Sequence, residues 1–333
     1  MRVISVMAVV LGHAWPFMPG EEYLQIWRMP LFFFLAGYFF SAHRGFPEEF
    51  SVRWRTLGIP YLSWLIILIF AVWALDLSPW PLPHGTVEGA LVGGAEADMP
   101  FLSFWFISVM FFAALLLRLL LLAPWWVGAI AALGGLTLAE APDSAMSYTF
   151  LGLGLVPACT AYMLAGHWFR KLIELPGFRA LPAQWALGLI GIGAGLSGVV
   201  AGAETMNMKW SGFGTYLVSP VLAVLIAGGL LLVFSTIVNT FLTTLPSAAA
   251  AVSELGRTST MVVFLHPLVL YLSTALLGLE DPIAKTAVAL ALCWGLAAAV
   301  NRAPFRPLLT GMPWQERISP RTPRPAIAAA AHQ

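Results

Sequence analysis

A histidine near the start of the chain is the residue best suited to catalysis. His13 lies in the apolar segment 3–19, between the small residues Gly12 and Ala14. An ionisable side chain inside such a segment is costly to bury, and it indicates a functional site by default. A neutral imidazole can take a proton from a hydroxyl group near neutral pH. We therefore expect His13 to act as a general base; a hydrogen bond to another helix is its alternative role.

Arg2 precedes His13 by eleven residues, which is almost three turns of an α-helix. The two side chains are therefore expected on the same helix face, about 16 Å apart along its axis. This spacing predicts that Arg2 marks the mouth of a site and that His13 lies near the middle of the bilayer.

A second basic feature, Arg53 and Arg55, comes just before an apolar run that starts near residue 57. The planar guanidinium group of arginine binds phosphate through paired hydrogen bonds. Basic residues at the ends of membrane helices also anchor the topology on the cytoplasmic side, and that role stays open. Side chains two residues apart on a helix point in different directions, which argues against a single clamp.

Two further residues are candidates for lining the same cavity. His266 lies nine residues beyond Arg257, on a segment predicted to run outward, so its depth resembles that of His13. A core histidine bonded to the carbonyl that Pro267 leaves free is the competing role, because proline lacks an N–H donor. Trp105 can contact a sugar ring, whereas tryptophans at such positions also serve as interface anchors.

The elements that must position these residues are membrane helices. Of 333 residues, 59% are hydrophobic and 10% are charged, against roughly a quarter charged in soluble domains, which excludes a water-soluble enzyme. Scanning for about 20 mainly apolar residues per span predicts an all-α, polytopic membrane helix bundle. The scan gives about ten spans, near 3–19, 23–43, 57–76, 101–122, 124–139, 149–169, 184–202, 214–242, 259–279 and 283–301.

Charge distribution predicts the orientation, because short loops rich in Lys and Arg stay in the cytoplasm. With the N-terminus inside, most of the 17 basic residues become cytoplasmic, while the charged residues of the stretch 76–100 are all acidic. Both termini are then cytoplasmic, in a multi-pass protein of the inner (cytoplasmic) membrane. Residues 1–302 form the membrane domain, and the basic, proline-rich segment 303–333 is predicted to be a disordered cytoplasmic tail.

The remaining composition excludes other partners. A formal net charge of +1 gives no electrostatic case for nucleic-acid binding. Cys159 and Cys293 lie inside apolar segments, and no HExxH, CxxC or glycine-rich phosphate loop occurs. The sequence therefore predicts no metal site and no bound cofactor, and it leaves the oligomeric state open.

Several segments, in their order along the chain, resemble the acyltransferase-3 family of integral membrane O-acyltransferases. They are RVISVMAVVLGHAW, MPLFFFLAGYFF, the basic cluster leading into PYLSW, FWFISVMFF and FLHPLVLYL. The most specific element is an Arg and a His separated by ten residues at the start of the first span, and the resemblance covers nearly the whole chain. It implies a bundle that moves an acyl group, commonly acetyl, from cytoplasmic acyl-CoA to a hydroxyl of a carbohydrate or another cell-envelope molecule.

The resemblance also implies roles for individual residues. Arg2 and His13 match the family's essential pair, and Arg53 and Arg55 fall where the family has an arginine motif. Acyl-CoA is then a co-substrate whose phosphates the arginines hold while His13 deprotonates the acceptor. Two departures are visible: the arginines stand in R-x-R instead of R-x-x-R spacing, and Ala36 in AGYFF replaces the serine of the commoner SGYFF.

Two other classes of protein stay open. A transporter or flippase for small molecules or lipid-linked sugars would also have ten helices and a deep histidine, although no internal repeat of the kind such proteins use is visible. In a non-catalytic membrane subunit, His13 would be a packing residue.

Overall fold

A computed structural model of the chain describes residues 1–140, 144–179, 181 and 183–312. Within these residues the regular structure is helical, apart from one isolated β-bridge between Asn207 and Gly212. The α-helices are α1 (Arg2–Ala14), α2 (Glu21–Arg28), α3 (Pro30–Tyr38), α4 (Phe46–Arg53), α5 (Ile59–Asp76), α6 (Thr86–Val92), α7 (Phe104–Leu120), α8 (Trp125–Leu138), α9 (Val156–Glu174), α10 (Pro176–Arg179), α11 (Gln184–Val200), α12 (Val218–Val233), α13 (Asn239–Thr243), α14 (Pro246–Leu277), α15 (Pro282–Val300) and α16 (Arg306–Thr310).

Five helical stretches are long and apolar enough to cross a membrane. They are Phe46–Asp76, Phe150–Glu174, Val218–Thr243, Pro246–Leu277 and Pro282–Val300. Helices α1, α7, α8 and α11 are apolar but shorter. The predicted all-helical, multi-pass fold is therefore present in the described residues, while the count of about ten spans and the direction of the termini stay predictions.

The predicted segment 23–43 is two helices instead of one. Helix α2 ends at Arg28, and α3 begins at Pro30. Proline has no N–H to donate and crowds the residue before it, so a helix is readily interrupted at this point. As a result, α2 supplies polar side chains and α3 supplies an aromatic wall to the same region.

Helix α3 is fixed by close contact with α9. A Cβ on Gly37 would lie 1.9 Å from the carbonyl oxygen of Met163, and one on Gly166 would lie 2.0 Å from that of Phe34. Both positions therefore require glycine, because any side chain would push the two helices apart. This contact fixes α3, and with it Phe32, relative to the bundle.

The proline inside α14 is used to join two helices. Pro267 cannot donate to the carbonyl oxygen of Val263 four residues earlier. The hydroxyl of Ser103, just before α7, donates to that oxygen at 2.7 Å and is buried. The start of α7 is thereby tied to α14, and α1 packs against α14 and α15.

The first residues of the predicted tail are folded. Helix α16 buries Arg306 and Thr310, and the carbonyl oxygen of Leu309 accepts a hydrogen bond from the indole of Trp64 at 2.9 Å. The prediction of disorder from residue 303 is therefore wrong for 303–312. The rest of the predicted tail, 313–333, lies outside the described residues.

Candidate active site

Two histidines from distant parts of the sequence meet at the centre of the site. His13 occupies the last turn of α1, and His266 lies in α14 next to Pro267. The Nδ1 atom of His13 is 2.8 Å from the Nε2 atom of His266, and the two ring planes differ by 6°. His266 is fully buried, whereas His13 is partly exposed to a cavity. The pair therefore presents His13 to any bound molecule.

The hydrogen bonds of the pair determine where the protons are. The Nδ1 atom of His266 lies 2.9 Å from the carbonyl oxygen of Val262, which can only accept. When both imidazoles are neutral, His266 must carry its proton on Nδ1, so its Nε2 accepts from Nδ1–H of His13. The Nε2 atom of His13 then keeps a free lone pair, as a general base requires.

The competing role predicted for His266 was a hydrogen bond to the carbonyl that Pro267 leaves free. That carbonyl belongs to Val263 and accepts from the hydroxyl of Ser103 at 2.7 Å. The Nδ1 atom of His266 lies 2.9 Å from the carbonyl oxygen of Val262, and its Nε2 atom contacts His13. His266 does not line the cavity, but lies behind His13.

We call the space in front of His13 the histidine cavity. Its volume is about 290 Å³. Trp105, the second residue of α7, lines it. The other polar and aromatic residues of its wall are Phe17, Glu21, Gln25, Arg28, Phe32, Ser103, Phe106, Asn207, Lys209 and Trp210.

A guanidinium group lines the same cavity as His13. Arg28 lies at the end of α2, and a Cβ on Gly12 would be only 1.6 Å from its Nη1 atom. Glycine at position 12 therefore makes the space for this charge. The Nη2 atom of Arg28 bonds to Glu21 at 3.2 Å, while Nη1 is buried with no hydrogen-bond partner among the described residues.

A lysine contributes a second cation to this cavity. Lys209 lies in the connection between α11 and α12, outside the spanning helices. Its ammonium group donates to the carbonyl oxygen of Ala97 at 2.7 Å and lies 4.7 Å from the centre of the Trp210 ring. Burial lowers the pKa of Lys209 to about 8, and the charges of Asp98 and Glu96 oppose this shift. The group therefore stays mostly protonated at neutral pH.

A separate cavity lies at the other end of α1. Its volume is about 420 Å³, and four arginines line it: Arg2, Arg44, Arg53 and Arg257. The hydroxyl-bearing residues Thr56, Ser259, Thr260 and Thr310 are also in its wall. We call it the arginine cavity. Arg2 and His13, on one helix, thus belong to two different cavities.

A buried carboxylate holds two of these arginines. Glu49 is fully buried, lies 3.1 Å from Arg44, and forms a short ion pair with Arg53 one helical turn later. The guanidinium group of Arg53 also lies 5.6 Å from the centre of the Phe40 ring. These contacts fix the position of Arg53 at the cavity wall.

The structure separates the two arginines that the sequence places together. Arg53 lines the arginine cavity, whereas Arg55 is exposed and absent from its wall. A π-helical turn, Trp54–Gly58, follows Arg53 and brings Thr56 into the wall. Such turns change the direction of side chains along a helix and are frequent at functional sites.

The two cavities have residues in common. Phe32, Phe106 and Val263 line both of them, and we call these residues the shared wall. The rings of Phe32 and Phe106 meet edge to face, with centres 5.2 Å apart. Ala36 lines the arginine cavity. It stands in AGYFF at the position where the family that this segment resembles commonly has serine.

Sequence reasoning missed five charged residues that line the two cavities, together with the buried Glu49 that pairs with two arginines. The five are Glu21, Arg28, Arg44, Lys209 and Arg257. Glu49 was detectable, since a carboxylate four residues before an arginine on a helix forms an ion pair. Arg28 and Lys209 were also detectable, because they are among the few basic residues that the predicted topology leaves outside the cytoplasm. Nothing in the sequence identified Glu21, Arg44 or Arg257 as cavity residues.

Comparison with known proteins supplies the family. The family model described as an acyltransferase domain matches residues 1–302. No curated protein and no solved structure gave a match. The matched range includes α1 to α15 and every charged residue that lines either cavity. The chain therefore belongs to the acyltransferase-3 family of membrane acyltransferases.

Proposed function

We propose that the protein transfers an acyl group, commonly acetyl, from acyl-CoA in the arginine cavity to a hydroxyl in the histidine cavity. The acceptor is a carbohydrate or another cell-envelope molecule. The protein lies in the cytoplasmic membrane with both termini in the cytoplasm, so the arginine cavity opens inward and the histidine cavity outward. One observation carries the proposal: the two cavities share Phe32, Phe106 and Val263.

The arginine cavity suits the donor. Arginine binds phosphate through its fork of N–H donors, and acyl-CoA carries several phosphate charges. Four arginines are present, and the carboxylates of Glu49 and Glu254 offset part of their charge. The flexible arm of the donor then reaches the shared wall, and the rings of Phe32 and Phe106 turn aside to admit the thioester.

The histidine pair suits the chemical step. His13 Nε2 takes the proton of the acceptor hydroxyl as its oxygen attacks the thioester carbon. The carbon–sulfur bond then breaks, and the CoA thiolate takes the proton from His13 to leave as a thiol. His266 keeps its proton on Nδ1 throughout and orients the ring of His13 by accepting its hydrogen bond.

The acceptor and the transfer can be tested in sequence. Mass spectrometry of the cell envelope should show a molecule that loses a fixed acyl mass when the gene is deleted. Purified protein in nanodiscs should then transfer a labelled acetyl group from acetyl-CoA to that molecule in a single turnover. Replacing His13 by Gln should lower the rate about 10²- to 10⁴-fold without changing the affinity for acetyl-CoA.

A matched variant controls for the loss of a histidine. His84 is exposed in the connection between α5 and α6, and His84→Gln should keep the wild-type rate. Wild-type turnover by a folded His13→Gln protein would overturn the assignment of the base. An unchanged envelope, together with no turnover of acyl-CoA, would overturn the proposed transfer itself.

A further inference from the structure

The histidine cavity contains more positive than negative charge. Arg28 and Lys209 both line it, and Glu21 is the carboxylate in its wall. Lys209 is 6% exposed, and the side chain of Arg28 is 12% exposed. Buried charges are costly unless a group of opposite charge pairs with them. The partners of each cation therefore decide whether its charge is compensated within the chain.

The charge of Glu21 is divided between two donors. Its Oε1 atom accepts from Arg28 at 3.2 Å, and its Oε2 atom accepts from the backbone N–H of Phe17 at 3.0 Å. The other terminal nitrogen of Arg28 is buried with no hydrogen-bond partner in the described part of the chain. The guanidinium group thus retains donors for a further acceptor beside Gly12, the neighbour of the base.

The partners of Lys209 are neutral. They are the carbonyl oxygen of Ala97 and the ring of Trp210. The carboxylates of Glu96 and Asp98 act on Lys209 from a distance, are exposed, and are not in the cavity wall. An ammonium group has three donors, so Lys209 also has capacity for an anion in the cavity.

A neighbouring pocket of opposite charge favours one orientation of a bound molecule. Glu140 and Glu204 line a space that adjoins the histidine cavity at Asn207 and Trp210. A negatively charged group is repelled there and attracted in the histidine cavity. The charge pattern therefore favours a molecule whose anionic part lies near the base and whose neutral part extends outward.

We propose that the acceptor is anionic, with a carboxylate or phosphate group that Arg28 and Lys209 bind while His13 deprotonates a nearby hydroxyl. This inference rests on the proposed function, in which the histidine cavity takes the acceptor. The tryptophans at positions 105 and 210 provide flat apolar faces beside the two cations, which suits a ring that bears the charge.

Three sugars that differ only at one carbon test the proposal. Methyl glucoside is neutral, methyl glucuronoside carries a carboxylate, and methyl glucoside 6-phosphate carries a phosphate. Binding to the full-length protein in nanodiscs, measured by ligand-detected NMR without any acyl-CoA, should be about tenfold to a hundredfold tighter for at least one anionic sugar. Comparison of the two anionic sugars then distinguishes carboxylate from phosphate.

Two variants assign this preference to the two cations. Arg28→Gln and Lys209→Gln should each reduce the ratio of anionic to neutral binding by about tenfold. Lys285→Gln is the matched control, because Lys285 lies at the start of α15 and lines neither cavity; it should leave the ratio unchanged. Equal binding of all three sugars by the wild-type protein would overturn the proposal.

Failure of the anionic-acceptor proposal can be distinguished from failure of the proposed acyl transfer. If anionic sugars bind selectively but no acyl-CoA is turned over, the anion site stands and the acyl transfer falls. If acetyl transfer occurs to neutral acceptors and the variants affect charged and neutral sugars equally, the acyl transfer stands. In that case the two cations act on the reaction itself, and the anionic acceptor is excluded.

Discussion

Two arginines of the arginine cavity and the base of the histidine cavity are held in place in different ways. In the arginine cavity, Arg44 and Arg53 are fixed by the buried carboxylate of Glu49. In the histidine cavity, His13 is fixed by a neutral partner, His266. An ion pair suits a residue that must remain charged, whereas a neutral hydrogen bond orients a base without holding the proton that it must exchange.

The largest effect on stability is expected at Glu49. Replacing it by Gln leaves two guanidinium groups without their buried counter-charge, and loss of one partner of a buried ion pair costs about 3–5 kcal/mol. Glu49→Gln should therefore lower the unfolding temperature in nanodiscs and weaken the binding of acyl-CoA.

The adjacent carboxylate controls this experiment. Glu48 is largely exposed and lies 4.0 Å from Arg44, and exposed pairs contribute about 0–1 kcal/mol. Glu48→Gln should thus resemble the wild type in both measurements. An equal response of the two variants would show that the buried pair has no special role in the arginine cavity.

The next largest effect is expected at His266, where two variants distinguish orientation of His13 from simple packing. His266→Phe removes the acceptor for Nδ1–H of His13, and loss of a buried hydrogen bond of about 1–3 kcal/mol corresponds to about a tenfold to hundredfold slower transfer. Gln at this position can accept from His13 and donate to Val262, so His266→Gln should recover part of the rate.

Kinetic constants decide whether this interpretation is correct. Both variants of His266 should lower kcat and leave the KM for acyl-CoA unchanged, because the arginine cavity is separate. If Phe and Gln have the same rate, or if KM for the donor rises in both, the residue acts through packing and the two cavities are not independent.

A methyl group at Gly12 should affect the histidine cavity alone. Its Cβ would overlap the guanidinium group of Arg28, and overpacking of this kind costs about 1–3 kcal/mol. Gly12→Ala should lower the unfolding temperature and slow the transfer, with normal affinity for acyl-CoA. Gly134→Ala in α8 is the control, since a Cβ there meets no atom within 4 Å; similar losses in both variants would contradict the role of position 12.

The smallest effect compares two arginines in the sequence Arg53-Trp-Arg55. Arg53 lines the arginine cavity and Arg55 does not. Arg53→Gln should weaken the binding of acyl-CoA about tenfold, which corresponds to one charge-assisted hydrogen bond, while Arg55→Gln should change it less than about twofold. Equal weakening by both would mean that the donor contacts the exposed side of the π-helical turn.

The sequence was informative where the physics is local. Runs of apolar residues predict membrane helices because each span must satisfy its own backbone hydrogen bonds, and His13 stood out because such a run makes it costly. The contact between His13 and His266 joins residues 253 positions apart, so no local pattern could reveal it. Arg28 lies at the site because α2 ends just before Pro30. The sequence contains this helix break, but a search for long apolar runs does not detect it.

The proposed orientation makes the shared wall the place where the membrane potential acts. In the proposed orientation, water fills the cavity on each side, so most of the voltage falls across the thin apolar layer of Phe32, Phe106 and Val263. Moving one elementary charge across that layer changes the free energy by about 2.3 kcal/mol per 100 mV. In the proposed reaction an acyl group moves one way and a proton the other, while the phosphates stay beside the arginines, so no net charge crosses. Energised and de-energised membranes would then support the same rate of transfer.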